Sequence, residues 1–384
     1  MQHHNSVFHE VLKQVPWDVF DRLVAAHGAD RRVRQLTTKS QFIALLYGQL
    51  EGAASLREIE AGLESHHSRL YHLGASAPRR STLADANKRR PCAVFAELFA
   101  VMAARAHRPL RRVLAGTTYL IDATGLRLDG RSLDWARFSA KVCGVKLHLV
   151  YDGDADRPIY AAVTPARVND ITAAQAMPIE PGATYVFDLG YYDYAWWKKL
   201  DAAQCRIVTR FKRNTPLQVI EELPVKPGGA ILSDRIGFLP QRQGSGRRNP
   251  MADAVREVQV KTDSGKVLRL LSNDLDAAAN AIAELYKRRW AIELFFRWVK
   301  QVLRIKHFIG TSENAVRIQI AVALIAFLIL RIAASLQKAV RSPLEFARLI
   351  RANLMHRRPL DRLLDAEQPL QISPNQLNLG LYFQ

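Results

Sequence analysis

Apolar residues recur at helical spacing through Phe20–Ala26 and Phe42–Leu50, which predicts helices in the first part of the chain. Ser55-Leu-Arg-Glu58 reads as a capping box that opens a further helix, SLREIEAGLESH. A short piece, SRLYHLG, ends at Gly74, and Pro91 starts the helix PCAVFAELFAVMAARA. Between them lies RRSTLADANKRR, a compact basic segment. The pattern changes after Arg112. Stretches 117–122, 141–152, 158–165, 183–188 and 205–212 read as strands, with helices from Asp170 and through AWWKKL. Strands alternating with helices predict an α/β domain with a mixed sheet. From about 213 to 274 the pattern is β-only and loop-rich, carrying AILSDRIGFL, REVQVKT and KVLRLLSND. From Ala277 onward it is helical again. The longest apolar run, Ile320–Leu330, is 11 residues. That is too short to span a bilayer and reads as a buried core helix.

The 384 residues suffice for two or three domains. The chain is 48% hydrophobic and 24% charged, as in ordinary globular proteins. Its charge is less ordinary: 55 Lys and Arg against 36 Asp and Glu give a formal +19. Such an excess favours polyanionic partners, nucleic acid before acidic membrane. Short helices with the basic residues Arg79, Arg80, Lys88 and Arg89 suggest a helical DNA-binding module, and Arg247 and Arg248 sit in a basic loop of the β-rich stretch. Solvated surface helices would share that composition. The cysteines, Cys92, Cys143 and Cys205, lie far apart, so neither a zinc site nor a disulfide framework is suggested. The N-terminus shows no signal-peptide core, and a reducing cytoplasm fits.

Two acids share a setting. Asp122 and Asp188 each end an apolar strand, where ligand and catalytic groups of α/β sheets gather. A third, Glu293, lies in ELYKRRWAIELFFRWVKQ. There Tyr286, Arg289, Glu293 and Lys300 are spaced three, four and seven residues apart. On one helix they fall within an arc of roughly 60°, with Arg297 and Arg304 on the same stripe. Leu285, Ile292, Phe296, Val299 and Leu303 form a core stripe beside it. Trp290 and Trp298 are core candidates that could instead stack on an unpaired base. Three converging carboxylates could hold one or two hard cations, Mg²⁺ or Mn²⁺ rather than zinc, suited to phosphodiester cleavage. Bland readings stand beside these. An Asp after a strand is often a turn or cap residue, and Glu293 could merely pair with Arg289 and Arg297. His148, within KLHLV, reads as a structural histidine at least as well as a site residue.

The complete Tyr286, Arg289, Glu293, Lys300 set resembles the signature of DDE transposases of the insertion-sequence-four family, cut-and-paste type. YLIDATGL, FDLGYYDY, VKLHLVYD, RVNDITAA and GTSENAVRIQIA are similar to stretches of that family, and the N-terminal part resembles its leader domain. The resemblance implies an RNase H-like catalytic core interrupted by a β-rich insertion. It divides the chain into a helical leader (1–112), core parts (113–212 and 275–335), the insertion (213–274) and a helical C-terminal region (336–384). Asp122, Asp188 and Glu293 would be the catalytic triad on two Mg²⁺ or Mn²⁺ ions. Tyr286, Arg289 and Lys300 would grip the DNA. Implied partners are double-stranded DNA, as terminal inverted repeats and target, and a second copy in a synaptic homodimer; no membrane is implied. Implied too are a bacterial cytoplasmic, nucleoid-associated setting, end cleavage, commonly a hairpin, and strand transfer. A Mg²⁺-dependent nuclease without joining and a catalytically silent DNA-binding regulator are the alternatives.

Overall fold

A computed structural model of the chain describes residues 5–111, 117–242, 246–302, 308–337 and 342–363. The leader forms helices α1 (Val7–Leu12), α2 (Trp17–Ala26), α3 (Thr38–Glu51), α4 (Leu56–Ser65), α5 (His67–Leu70), α6 (Arg80–Arg89) and α7 (Ala93–Arg111). Ser55 caps α4: Glu58 N–H donates to Ser55 Oγ at 3.2 Å, while the Glu58 carboxylate accepts at 2.8 Å from Ala54 N–H, one residue before the cap. Gly52, at φ 80°, ends α3 in the left-handed region that glycine adopts without a Cβ penalty. The basic stretch RRSTLADANKRR forms helix α6, with its Leu83 side and Arg90 buried and Arg79, Arg80, Lys88 and Arg89 exposed.

The strands are β1 (Thr118–Arg127), β2 (Gly144–Asp152), β3 (Arg157–Pro165), β4 (Thr184–Val186), β5 (Arg206–Arg210), β6 (Gln218–Glu222), β7 (Ile231–Phe238), β8 (Val255–Lys261) and β9 (Val267–Ser272). Short helices α8 (Leu133–Ala136), α9 (Asp170–Ala174) and α10 (Tyr194–Ala202) lie between them. All nine strands form one sheet in the order β3-β2-β1-β4-β5-β9-β8-β7-β6. β1, β2 and β3 are antiparallel, while β4 and β5 run parallel to β1. β9 pairs antiparallel with β5, so the β-rich stretch continues the same sheet. Side chains alternate between its faces. Leu120, Leu147, Leu149, Val186 and Val208 join the larger core with the helices on one face. Tyr119, Ile121, Phe187 and Ile207 pack with Trp196, Trp197 and Leu200 of α10 on the other.

The chain then forms α11 (Ala279–Arg288), α12 (Trp290–Val302), α13 (Glu313–Ser335) and α14 (Pro343–Asn353). The 11-residue apolar run belongs to the longer α13, whose 23 residues are apolar and long enough to cross a membrane. Here that surface is covered by protein: α13 packs against α7, α3, α6 and α14. The C-terminal end knits back to the leader through Val7 N–H to His356 O at 2.9 Å and Arg351 Nε to Leu50 O at 2.9 Å.

Two sequence expectations change. β1 does not end at Asp122 but runs on to Arg127, because its pairing with β2 continues to Arg127↔Gly144 after β4 has stopped. The Tyr286-to-Lys300 stretch is not one helix. It breaks at Arg289, where Arg289 N–H bonds Tyr286 O and Ile292 N–H bonds Arg289 O, both three residues back at 3.1 Å. Arg288 and Arg289 are pinned there to different acids, Asp154 and Asp122, and these tertiary pairs override a continuous helix.

Candidate active site

The parallel register sets two acids level. Leu120 pairs with Val186, so two residues further along each chain stand Asp122 and Asp188. Neighbouring strands lie about 4.8 Å apart, which brings the two residues side by side where β4 ends. Asp188 leaves the strand and caps a short turn, its Oδ1 accepting from Gly190 N–H at 2.8 Å. Glu293 enters from α12, which packs on β1. Between the strands and α12 lies Arg289. Its Nη1 donates to Asp122 Oδ2 at 2.8 Å and to Glu293 Oε1 at 3.2 Å. Its guanidinium also sits 5.9 Å from the ring centre of Tyr286.

Burial pushes the Asp122 carboxyl up to about 7. The Ala123 N–H and Arg289 oppose that rise, while Asp188 and Glu293 add to it. Glu293 remains open to solvent, its side chain 41% exposed against 14% for Asp122. For Arg289 burial disfavours charge, but Tyr286, Asp122 and Glu293 outweigh it and hold the guanidinium above its ordinary value. Burial also raises the Tyr286 hydroxyl, against the pull of Arg289 and Arg210.

The structure thus brings Asp122, Glu293, Arg289 and Tyr286 together, with Asp188 level with Asp122. Lys300 and Arg297 lie further along α12, half-buried and exposed respectively. Arg79, Arg80, Lys88 and Arg89 are exposed on the leader, and Arg247 and Arg248 on the loop between β7 and β8. Arg304 lies outside the described residues, as does Leu303 of the expected core stripe. Ile292, Phe296 and Val299 of that stripe are buried, with Leu285 half-buried. Trp290 is not core: it is 59% exposed beside Arg289. Trp298 is half-buried, edge-on to Phe327 at 5.0 Å.

Sequence reasoning missed three contributors. A Cβ on Gly190 would lie 3.0 Å from Asp170 Oδ2 and 3.1 Å from Asp188 Oδ1, so Asp170 is a further carboxylate beside the site. Lys146 Nζ holds it at 2.9 Å. Its position at a helix start concealed it, since an Asp there reads as an end-of-helix residue. Tyr191 is fully buried with no partner for its hydroxyl, and Asp122, Asp170 and Asp188, after burial itself, keep that hydroxyl protonated. Third is an anchor in the β-rich stretch. Arg256 makes a buried two-bond pair with Asp234 and also donates to Leu275 O at 2.8 Å and to Ala277 O. It thereby fixes the chain just before α11. His148 pairs opposite Ala123, one residue out of phase with Asp122, so it lies on the other sheet face. Its Nε2 is 2.8 Å from Thr164 Oγ1, its Nδ1 has no hydrogen-bond partner and lies 4.0 Å from Asp170 Oδ1, and burial lowers its pKa to about 4.

The donors are all oxygens, as hard divalent ions require. Among the described residues no group of three acids, histidines or cysteines is drawn close enough to form a finished cage. Arg289 instead holds the position between Asp122 and Glu293. The desolvated Asp122 and the solvent-open Glu293, held on one guanidinium, fit an oxygen-ligand cation site once Arg289 moves aside.

Comparison with known proteins points one way. Residues 115–329 match the family described as Transposase DDE domain, and residues 3–76 match a domain of unknown function. A protein of Sinorhizobium fredii named as a transposase is 40% identical over 303 residues, 78% of this chain and 83% of the relative. A protein of Geobacillus stearothermophilus, named as the transposase of an insertion sequence element, is 28% identical over 292 residues, 73% of this chain and 74% of the relative. The chain also aligns with a piggyBac transposase synaptic complex with hairpin DNA at a TM-score of 0.44 and 14% identity, covering 97% and 83%. That likeness is too slight to carry an argument.

Proposed function

The chain belongs to the family of transposase DDE domains, and from that premise we propose that it is the transposase of a bacterial insertion sequence, of the insertion-sequence-four type. In this reading it acts in the cytoplasm on the element's terminal inverted repeats. It cuts the ends, sealing the flanks by the hairpin route, and joins the freed 3′-OH ends to target DNA as a homodimer. The order β3-β2-β1-β4-β5, with the first three antiparallel and the last two parallel to β1, supports an RNase H-like core. The observation that carries the proposal is the parallel register that sets Asp122 and Asp188 level beside the Arg289–Glu293 pair.

Asp122, Asp188 and Glu293 would hold two Mg²⁺ or Mn²⁺ ions, which when bound supply an activated water or hydroxyl and stabilise the leaving oxygen. The rest falls to the chain. Arg289, released from its carboxylates, reaches a phosphate beside the cut, and Tyr286 packs against it. Lys300 and Arg297 add positive charge along α12 for the strand that enters. Trp290, exposed next to Arg289, offers a face on which a base unstacked at the cut can rest.

A duplex carrying the element's end, with Mg²⁺, tests this. Wild-type protein should nick and then join it. Glu293→Gln should lose cutting while keeping DNA binding within a few-fold. Cutting that survives in that variant removes Glu293 from the triad. Nicking without joining makes the protein a nuclease, and binding without nicking makes it a regulator.

A further inference from the structure

The acids of the site are flanked on a second side. Asp122 shares the sheet face that carries α12, whereas Lys146 and His148, two residues apart on β2, belong to the opposite face, with α10. Lys146 Nζ bonds Asp170 Oδ1 at 2.9 Å and Val168 O at 3.0 Å, which fixes the start of α9 against that face. Asp170 Oδ2 takes no hydrogen bond among the described residues and lies against the turn that follows Asp188. Gly190 is the spacer there. A methyl group on it would stand 3.0 Å from Asp170 Oδ2 and 3.1 Å from Asp188 Oδ1, tighter than ordinary contact on both sides. Gly190 has no positive φ that would demand glycine. Its missing side chain is what lets the two carboxylates face each other. Between them they have one lysine, since Asp188 forms no ion pair among the described residues. Two carboxylates so placed favour a cation. Two polar atoms lie unpartnered around the same acid: His148 Nδ1, 4.0 Å from Asp170 Oδ1, and the Tyr191 hydroxyl, which the charges of Asp122, Asp170 and Asp188 all reach. Both side chains are fully buried. Such atoms are rare in native structures and gather at sites of chemistry or ion binding.

We propose that Asp170 is a positioning residue of the acid site: anchored by Lys146, it backs Asp188 across Gly190 and strengthens the hold of Asp188 on a divalent cation. It acts from the sheet face opposite Arg289 and touches neither the DNA nor the bond that is cut. Hard cations keep part of their water, and an outer carboxylate that accepts from such water adds to the affinity of the inner ligands. This rests on the metal-dependent cutting proposed above and adds a fourth acid to it.

The probe is Mn²⁺, titrated into the full chain bound to an already cut end duplex that lacks its 3′-OH, with the free ion counted by electron paramagnetic resonance. Asp170→Asn should weaken Mn²⁺ binding about 10–100-fold, the cost of losing an outer-shell partner. Gly190→Ala keeps both acids and the lysine but forces the carboxylates apart, and should weaken binding in the same direction. The double variant should bind no more weakly than the weaker single variant, because both changes break one contact. Metal-free binding of the duplex should stay within a few-fold of wild type throughout. Wild-type Mn²⁺ affinity in Asp170→Asn, with only the melting point lowered, makes Asp170 a structural partner of Lys146 and overturns the proposal. Additive losses in the double variant place the effect of Gly190 on Asp188 alone and overturn it too. Should Asp170→Asn not fold, Gly190→Ala decides by itself, and unchanged Mn²⁺ binding there is the refuting result. Wild-type protein that binds no Mn²⁺, or an Asp188→Asn variant that binds it as well as wild type, removes the metal-dependent function on which the role of Asp170 rests.

Discussion

Replacing Asp234 by Ala asks how firmly the β-rich stretch fixes the helices of the site. Arg256 Nε and Nη2 each meet an Asp234 oxygen at 2.7 Å, and the two side chains are only 5% and 4% exposed. Loss of Asp234 strands a guanidinium in a place where water cannot replace the carboxylate. Breaking a buried pair from one side costs about 3–5 kcal/mol. Against a total stability of about 5–15 kcal/mol, that is a large share. Urea unfolding of the variant should show it. Exchanging both partners for apolar residues, Asp234→Leu with Arg256→Met, should recover most of the loss, since no charge is left unpaired. The double variant still lacks the bonds from Arg256 to the carbonyls of Leu275 and Ala277. Its α11 amides should therefore exchange hydrogen faster than in the wild type, although the melting point has returned. A single variant that loses less than about 1 kcal/mol, or a double variant that melts as low as the single, refutes this account.

Two further outcomes follow from buried titrations. The Asp122 carboxyl, near 3.8 when unfolded, is raised to about 7 in the folded protein, so its contribution is most favourable below pH 3.8 and is lost as pH rises through 7. Asp122→Asn should then stabilise the metal-free protein at pH 8, by up to about 4 kcal/mol, with no gain at pH 3.5; equal melting of both proteins across this range would contradict the desolvation argument. His148 has the opposite sign of shift, from 6.5 to about 4, so the unfolded chain takes its proton first and stability falls as pH drops from about 6.5 to 4. The term amounts to roughly 3 kcal/mol, and His148→Gln should flatten that part of the acid limb in denaturant titrations; an unaltered limb would place the proton uptake elsewhere.

Periodicity was enough to read the helices of the leader and most strands, because each buries one face and the burial writes itself into the spacing. The site was legible in part for the same reason: YLID and TYVFD are apolar strands followed by acids whatever their partners are. What escaped reading depends on pairing between distant residues. β1 continues past Asp122 because β2 still bonds it on one side, a fact not encoded in ATGLR itself. The break at Arg289 answers to Asp122 and Asp154, more than a hundred residues earlier. Asp170 and Tyr191 looked like a helix start and a loop aromatic, and only the closeness of Gly190 to both Asp170 and Asp188 shows them to be neighbours of the acids. Trp290 carried a core-like residue type on a solvent face: two residues before Ile292, it stands about 160° around α12 from the buried stripe.

The single sheet also decides what can move. β9 is bonded to β5, beside the strand that leads to Asp188, and β6, β7 and β8 are bonded on in turn. A flap needs a hinge, and a hydrogen-bonded seam is a poor one: swinging the β-rich stretch over the acids would tear the Val208–Ser272 ladder. That stretch is therefore a buttress, transmitting the stiffness of the plate into the base of α11 through Arg256. Freedom of motion is left to the connections around Arg289, where the backbone already departs from regular helix and a few ion pairs, rather than a ladder, keep it in place.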